Sequence, residues 1–164
     1  MKKLFHEAIS QFLSGNHKNS EKLCRQILSR EPNQPNTLHL LGVIIQQAGD
    51  NISAEKLIRE AISVDRQNPE YLKNLGYVLS QNGKFAEGEQ VCRKAARLDP
   101  NDAQIYNNLG ICLEGQSKFE AAERAYDRAL AKNPSYPEAL VNQGNVRREQ
   151  GHVEKAIQSY CQAI

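Results

Sequence analysis

Residues 106–134 read YNNLGICLEGQSKFEAAERAYDRALAKNP. Tyr106, Leu109, Gly110 and Leu113 stand at i, i+3, i+4 and i+7, the spacing of one face of an amphipathic helix. After the polar break GQSKF, Ala122, Tyr126, Ala129 and Leu130 draw a second such face. Asn133-Pro134 closes it, because proline lacks an amide hydrogen and disfavours helix in the residue before it. The stretch predicts helix A, tight turn, helix B, tight turn. Gly110, Ala122 and Ala129 let the two axes approach, and the large residues fill the gaps between them.

The same pattern recurs along the chain every 34 residues. Leu41-Gly42, Leu75-Gly76 and Leu109-Gly110 keep this step, and Gly144 continues it behind Gln143. Pro32, Pro100 and Pro134 fit the same period, with Arg66 in the remaining slot. Ala54, Gly88, Ala122 and Ala156 form a third register, and Ala61, Ala95, Ala129 and Ala163 a fourth. A fixed period of this length is the mark of a repeat array rather than of a globular domain with mixed elements. Five units follow: 1–34, 35–68, 69–102, 103–136 and a truncated 137–164. Turns are expected near 15–17, 32–34, 49–51, 66–68, 83–85, 100–102, 117–119, 134–136 and 151–153.

Size, spacing and period together closely resemble the tetratricopeptide repeat, whose signature runs W-x₂-L-G-x₂-Y…A-x₃-F…P. The third unit offers Leu72, Leu75, Gly76, Leu79, Gly88, Cys92 and Pro100; the fourth offers Tyr106, Leu109, Gly110, Leu113, Ala122, Tyr126 and Pro134. The resemblance implies an all-α fold, a right-handed superhelical solenoid of antiparallel helix pairs with the A helices lining a concave groove. The first unit departs, with Glu7 and Ala8 in place of Leu-Gly, as an end repeat without a predecessor would. The fifth carries Gln143 and Arg147 where leucines would sit and stops at its twenty-eighth residue, so it is expected to be the weakest. Ending inside a helix, the chain reads as a fragment or as the front of a longer protein.

The remaining composition narrows the function. Net charge is +2, and the five units carry +3, −1, 0, 0 and 0, so no basic surface for nucleic acid collects. Neither a secretory leader nor an apolar run long enough for a membrane span is present, and a cytoplasmic protein is expected. Cys24, Cys92, Cys112 and Cys161 lack ligand spacing and are expected in helix packing. The histidines are scattered, and no catalytic, cofactor or metal site is expected. Acidic residues on the B helices, as in EKLIRE and AERAYDR, read as ordinary exposed pairs with nearby Lys and Arg.

By the resemblance, the groove is lined by A-helix positions that here carry Lys73, Asn74, Tyr77, Asn107, Asn108, Ile111, Asn142 and Asn145. Asn74, Asn108 and Asn142 share one position. A carboxamide carries donors and an acceptor that can bond an extended peptide's backbone whatever its side chains. Such an asparagine ladder is a feature of the O-linked N-acetylglucosamine transferases, whose repeat region this chain resembles. The other reading is a polar residue facing water. In either case the side chains are expected to stand in an open groove. A carboxylate clamp for acidic C-termini does not form, since Tyr77 and Glu138 occupy two of its positions. Phe5, Ile9, Phe12, Leu13, Leu40 and Val43 give the first two units an apolar character, either core or an association face.

The expected function is a protein–protein interaction scaffold that binds a peptide segment or partner protein in the groove. The alternative is the substrate-recruiting front of a larger transferase of glycosyl, sulfo or methyl groups. Self-association through the uncovered end repeats is a further expected contact.

Overall fold

A computed structural model describes residues 2–164. Among them are ten helices and no strand: α1 (Lys2–Leu13), α2 (His17–Leu28), α3 (Pro35–Gln47), α4 (Asn51–Val64), α5 (Pro69–Gln81), α6 (Phe85–Leu98), α7 (Ala103–Glu114), α8 (Phe119–Lys132), α9 (Pro137–Glu149) and α10 (Val153–Gln162). Every expected turn overlaps a break between helices. The chain is an all-α solenoid of five antiparallel pairs. Successive odd-numbered helices pack against each other, whereas the even-numbered helices pack against odd-numbered ones, with α4 reaching α6 through the Arg59–Glu87 ion pair at 2.6 Å. The odd helices are therefore the crowded inner layer and the even helices the splayed outer one.

Local chemistry explains the breaks. Pro35, Pro69 and Pro137 open α3, α5 and α9, where the missing amide hydrogen costs nothing because no partner exists in the first turn. Asp65, Asp99 and Asn133 are extended and end α4, α6 and α8. Asp99 and Asn133 directly precede proline, which disfavours the helical region for them. The turn inside each pair needs one left-handed residue. Gly15, Gly49, Gly83 and Gly151 supply it at φ 78, 92, 72 and 81°, and Ser117 holds the same place at φ 57°.

The small-residue registers lie in the core. Ala54, Ala122, Ala61, Ala95 and Ala129 are fully buried, while Ala163 is only half-buried. A methyl group added to Gly110 would collide with the ring of Tyr126, and one added to Gly76 with Sγ of Cys92. Cys24, Cys92 and Cys112 are buried as expected; Cys161 instead is exposed on α10. The first unit's apolar residues are mostly core: Leu40 is buried, and Phe5, Ile9 and Phe12 pack against Ala8, Leu23 and Cys24. Leu13 alone of this group stands in the open, at 78% exposure.

Two acidic residues depart from the exposed-pair expectation. Glu55 is buried and takes Lys84 Nζ at 2.9 Å and Asn82 Nδ2 at 2.7 Å from the next unit. Glu89, one period on, takes Lys118 Nζ and Gln116 Nε2, both at 2.9 Å. These carboxylates tie an outer helix to the following turn. Arg59 and Arg93, their expected partners one helical turn away, are present as well.

Candidate functional site

The inner layer carries a cleft of about 460 Å³ between the odd helices of the second to fifth units. Six of the eight expected groove residues line it: Asn74, Tyr77, Asn107, Asn108, Ile111 and Asn142. Lys73 and Asn145 do not. The Lys73 ammonium is nearly buried, 2.6 Å from Glu70 and 3.0 Å from Asp102. Burial works against its charge, but the bonds to these two carboxylates prevail and raise its pKa. Lys73 is thus a strut between α5 and the start of α7. Asn145 accepts a hydrogen bond from the Tyr160 hydroxyl at 2.9 Å, within the last pair.

The asparagine row is not simply displayed in an open groove, and the reason is geometric. Asn74 Nδ2 lies 2.8 Å from His39 Nε2, Asn108 Nδ2 donates to the Lys73 carbonyl at 3.2 Å, and Asn142 Nδ2 donates to Asn107 Oδ1 at 3.1 Å. Each bond spans 35 residues, one period plus one, so each asparagine reaches the neighbouring position of the preceding odd helix. Asn108 is consequently 1% exposed. Its carbonyl partner can only accept, which fixes the amide orientation. His39 suits its role: burial, opposed by Glu70, lowers its pKa to about 4, and the neutral ring offers Nε2 as an acceptor. This spacing was readable in the sequence, where His39, Lys73 and Asn107 precede the asparagines by 35 residues, but nothing in one sequence marks two surface positions as bonded.

The donors of the row are committed to the fold, and the acceptors are not. Among the described residues the Oδ1 atoms of Asn74, Asn108 and Asn142 receive no intramolecular hydrogen bond. The wall between them is carboxamide-rich, with Gln46, Gln47 and Gln104, and its apolar and aromatic parts are Val43, Ile111, Tyr77 and Tyr136. Glu138 is the only charged side chain on it. A second cleft of about 600 Å³ lies at the first unit, between Lys2, Phe5, Ile27 and Asn36.

The tetratricopeptide repeat family pattern matches residues 45–103 and again 106–164. The chain belongs to the tetratricopeptide repeat family. Among solved structures it is similar to the crystal structure of MamA, 18% identical with a TM-score of 0.80, covering 95% of this chain and 91% of that one. MamA from Desulfovibrio magneticus RS-1, from residue 41 to its end, is 17% identical with a TM-score of 0.85 over 99% of this chain and 92% of its own. PilF of Pseudomonas aeruginosa is 20% identical, TM-score 0.85, over 99% of this chain and 74% of its own. At these identities the likeness is one of fold. No curated protein sequence matches the chain. No helix among the described residues is long and apolar enough to cross a membrane. The tetratricopeptide repeat fold is a frame for protein–protein contact, and it places the cleft on the face that such arrays turn inward.

Proposed function

We propose that the chain is an interaction scaffold, one array of the five units 1–34, 35–68, 69–102, 103–136 and 137–164, that grips an extended segment of a partner protein in the inner cleft. The observation that carries this reading is the pair of acceptors on Asn74 and Asn142, left free because the amide donors are used between helices, while Asn108 between them is buried. An extended backbone presents N–H groups, and carbonyl oxygens two repeats apart on one cleft can accept from them without reading side chains. Each such bond contributes about 0.5–1.5 kcal/mol. The same groove serves a free-standing scaffold or the recruiting region of a larger transferase.

The test is site-specific photo-crosslinking. A photoreactive residue at Ile111, on the cleft wall, is expected to trap a partner segment, and one at Arg124, on the outer helix α8, is not. Asn74→Ala combined with Asn142→Ala should reduce trapping at Ile111 while the far-UV spectrum stays that of the parent. Asn108 is left intact because its removal would strip the Lys73 carbonyl of its partner. Equal trapping at Ile111 and Arg124, or trapping unaffected by the double substitution, overturns the reading.

A further inference from the structure

The residue just before each of α3, α5, α7 and α9 occupies one register: Gln34, Asn68, Asp102 and Tyr136. The first three cap the helix that follows. The Gln34 side chain accepts from the Thr37 amide, Asn68 from Glu70 and Tyr71 at 3.1 and 3.4 Å, and Asp102 from Gln104 at 2.8 Å. Tyr136 makes no such bond, and α9 starts without a side-chain cap. Replacing a capping residue forfeits stability, and a local rule broken inside an otherwise consistent repeat is a mark of function. What stands there instead is an aromatic ring that packs on Tyr106, Ala129 and Ala139 and shares the wall of the cleft with Tyr77.

The charge beside that ring is negative and unspent. Glu138, two residues on, lines the cleft and forms no ion pair among the described residues. The nearest cation, Lys73, is neutralised by Glu70 and Asp102 together, which leaves that triad with a net charge of −1. The Tyr136 phenol feels this surrounding: burial first, then the Glu138 and Asp102 carboxylates, raise its pKa. Two aromatic rings, a free carboxylate and the Asn142 carboxamide oxygen line a surface that favours a cation with an apolar stem. Attraction of such a cation to aromatic faces strengthens as water is excluded.

We infer that the cleft between Tyr77, Tyr136 and Glu138 receives a lysine or arginine side chain of the bound segment. This rests on the peptide-gripping reading and adds a side-chain preference to a backbone contact. The array then recognises a cationic extended peptide rather than any extended peptide.

Three fluorescein-labelled peptides, acetylated and amidated, test this by anisotropy against the full chain. Their sequence is Gly-Ser-Thr-X-Thr-Ser-Gly with X lysine, norleucine or glutamate. The lysine peptide should bind about tenfold tighter than the norleucine peptide at low salt, the glutamate peptide weakest, with the advantage shrinking as salt rises. Glu138→Gln should remove most of the lysine advantage over norleucine, and Tyr136→Leu should weaken the lysine peptide several-fold more than the norleucine peptide. A merely structural role would lower all three affinities alike. Equal binding of lysine and norleucine peptides overturns this inference and leaves the backbone-gripping reading standing. Absence of binding by all three overturns both.

Discussion

The α7–α8 pair and the α9–α10 pair occupy the same register and solve the same packing problem with different chemistry. In the former, Leu109, Leu113, Ala122, Ala125 and Tyr126 close an apolar core. In the latter the equivalents of Leu109, Leu113 and Ala125 are Gln143, Arg147 and Ser159. These do not stand as gaps in a core. Gln143 donates to Asp127 at 2.7 Å and accepts from Ser159 at 2.9 Å, while Arg147 donates to Glu123 at 2.7 Å and to Ser159 at 2.8 Å. The network joins α8, α9 and α10. Apolar contact needs many neighbours on every side, and among the described residues α10 packs against α9 alone. A connected polar network keeps its value at such an edge provided each member is satisfied.

The largest difference between the pairs should appear at their glycines. Gly110→Ala drives a methyl group into the ring of Tyr126, which is fully buried and cannot move aside. Overpacking of this kind is expected to cost about 3 kcal/mol. Gly144→Ala meets the ring of Tyr160, which is half-buried and can move outward only by releasing its bond to Asn145, so about 2 kcal/mol is expected. Urea denaturation of the two variants measures the gap, and equal losses would erase the contrast between a closed and an open pair.

Gln143→Leu probes the network from the other direction. It makes the last pair resemble its neighbour but leaves the Asp127 carboxylate and the Ser159 hydroxyl without this partner. A loss of about 1–2 kcal/mol is expected. A gain would mean that the α9–α10 pair prefers the apolar solution after all.

The contact of α6 with the turn between α7 and α8 offers a pH signature. Burial of Glu89 would raise its pKa, but the bonds from Lys118, Gln116 and Arg93 outweigh it and hold the carboxyl at about 2, below its ordinary 4.5. Because the folded value is depressed, its stabilisation is present above the unfolded pKa and is lost as pH falls from about 4.5 toward about 2. Lys118 and Arg93 are about half exposed, so solvent screening limits the worth of the clamp to about 1 kcal/mol. Glu89→Gln should therefore be less stable than the parent at pH 7 and indistinguishable from it near pH 2. A difference that persists at the lower pH would assign the loss to packing instead.

The smallest expected effect lies in the turns. Ser117 holds the left-handed conformation that Gly151 holds in the last pair. Ser117→Gly should relieve its backbone strain for a gain of about 0.5 kcal/mol, and Gly151→Ser should lose a similar amount. Thermal melts of both variants check the sign.

Much of this was legible before any coordinates. The 34-residue period, the helical spacing within it and the small-residue registers follow from one-dimensional regularities, and the helix pairs and their turns follow from those. The positive-φ register of Gly15, Gly49, Gly83 and Gly151 was present in the same letters. The candidate site was legible only as a set of positions. Asn74, Tyr77, Asn107, Asn108, Ile111 and Asn142 do meet at one cleft, whereas Lys73 and Asn145 turn to internal partners.

The sequence by itself determined the period and the two helices in each period. These depend on backbone preferences and on side-chain volume repeated at a constant step, which are properties of neighbours along the chain. Only the tertiary structure decided that Asn108 is buried on the Lys73 carbonyl, that Glu55 and Glu89 fasten successive units, and that Gln143, Arg147 and Ser159 form one bonded network with α8. Those outcomes depend on hydrogen bonds of about 3 Å between residues from 12 to 35 places apart. A hydrogen bond has a direction and a steep dependence on distance, and the letter of a residue carries neither until the solenoid has set one helix against the next.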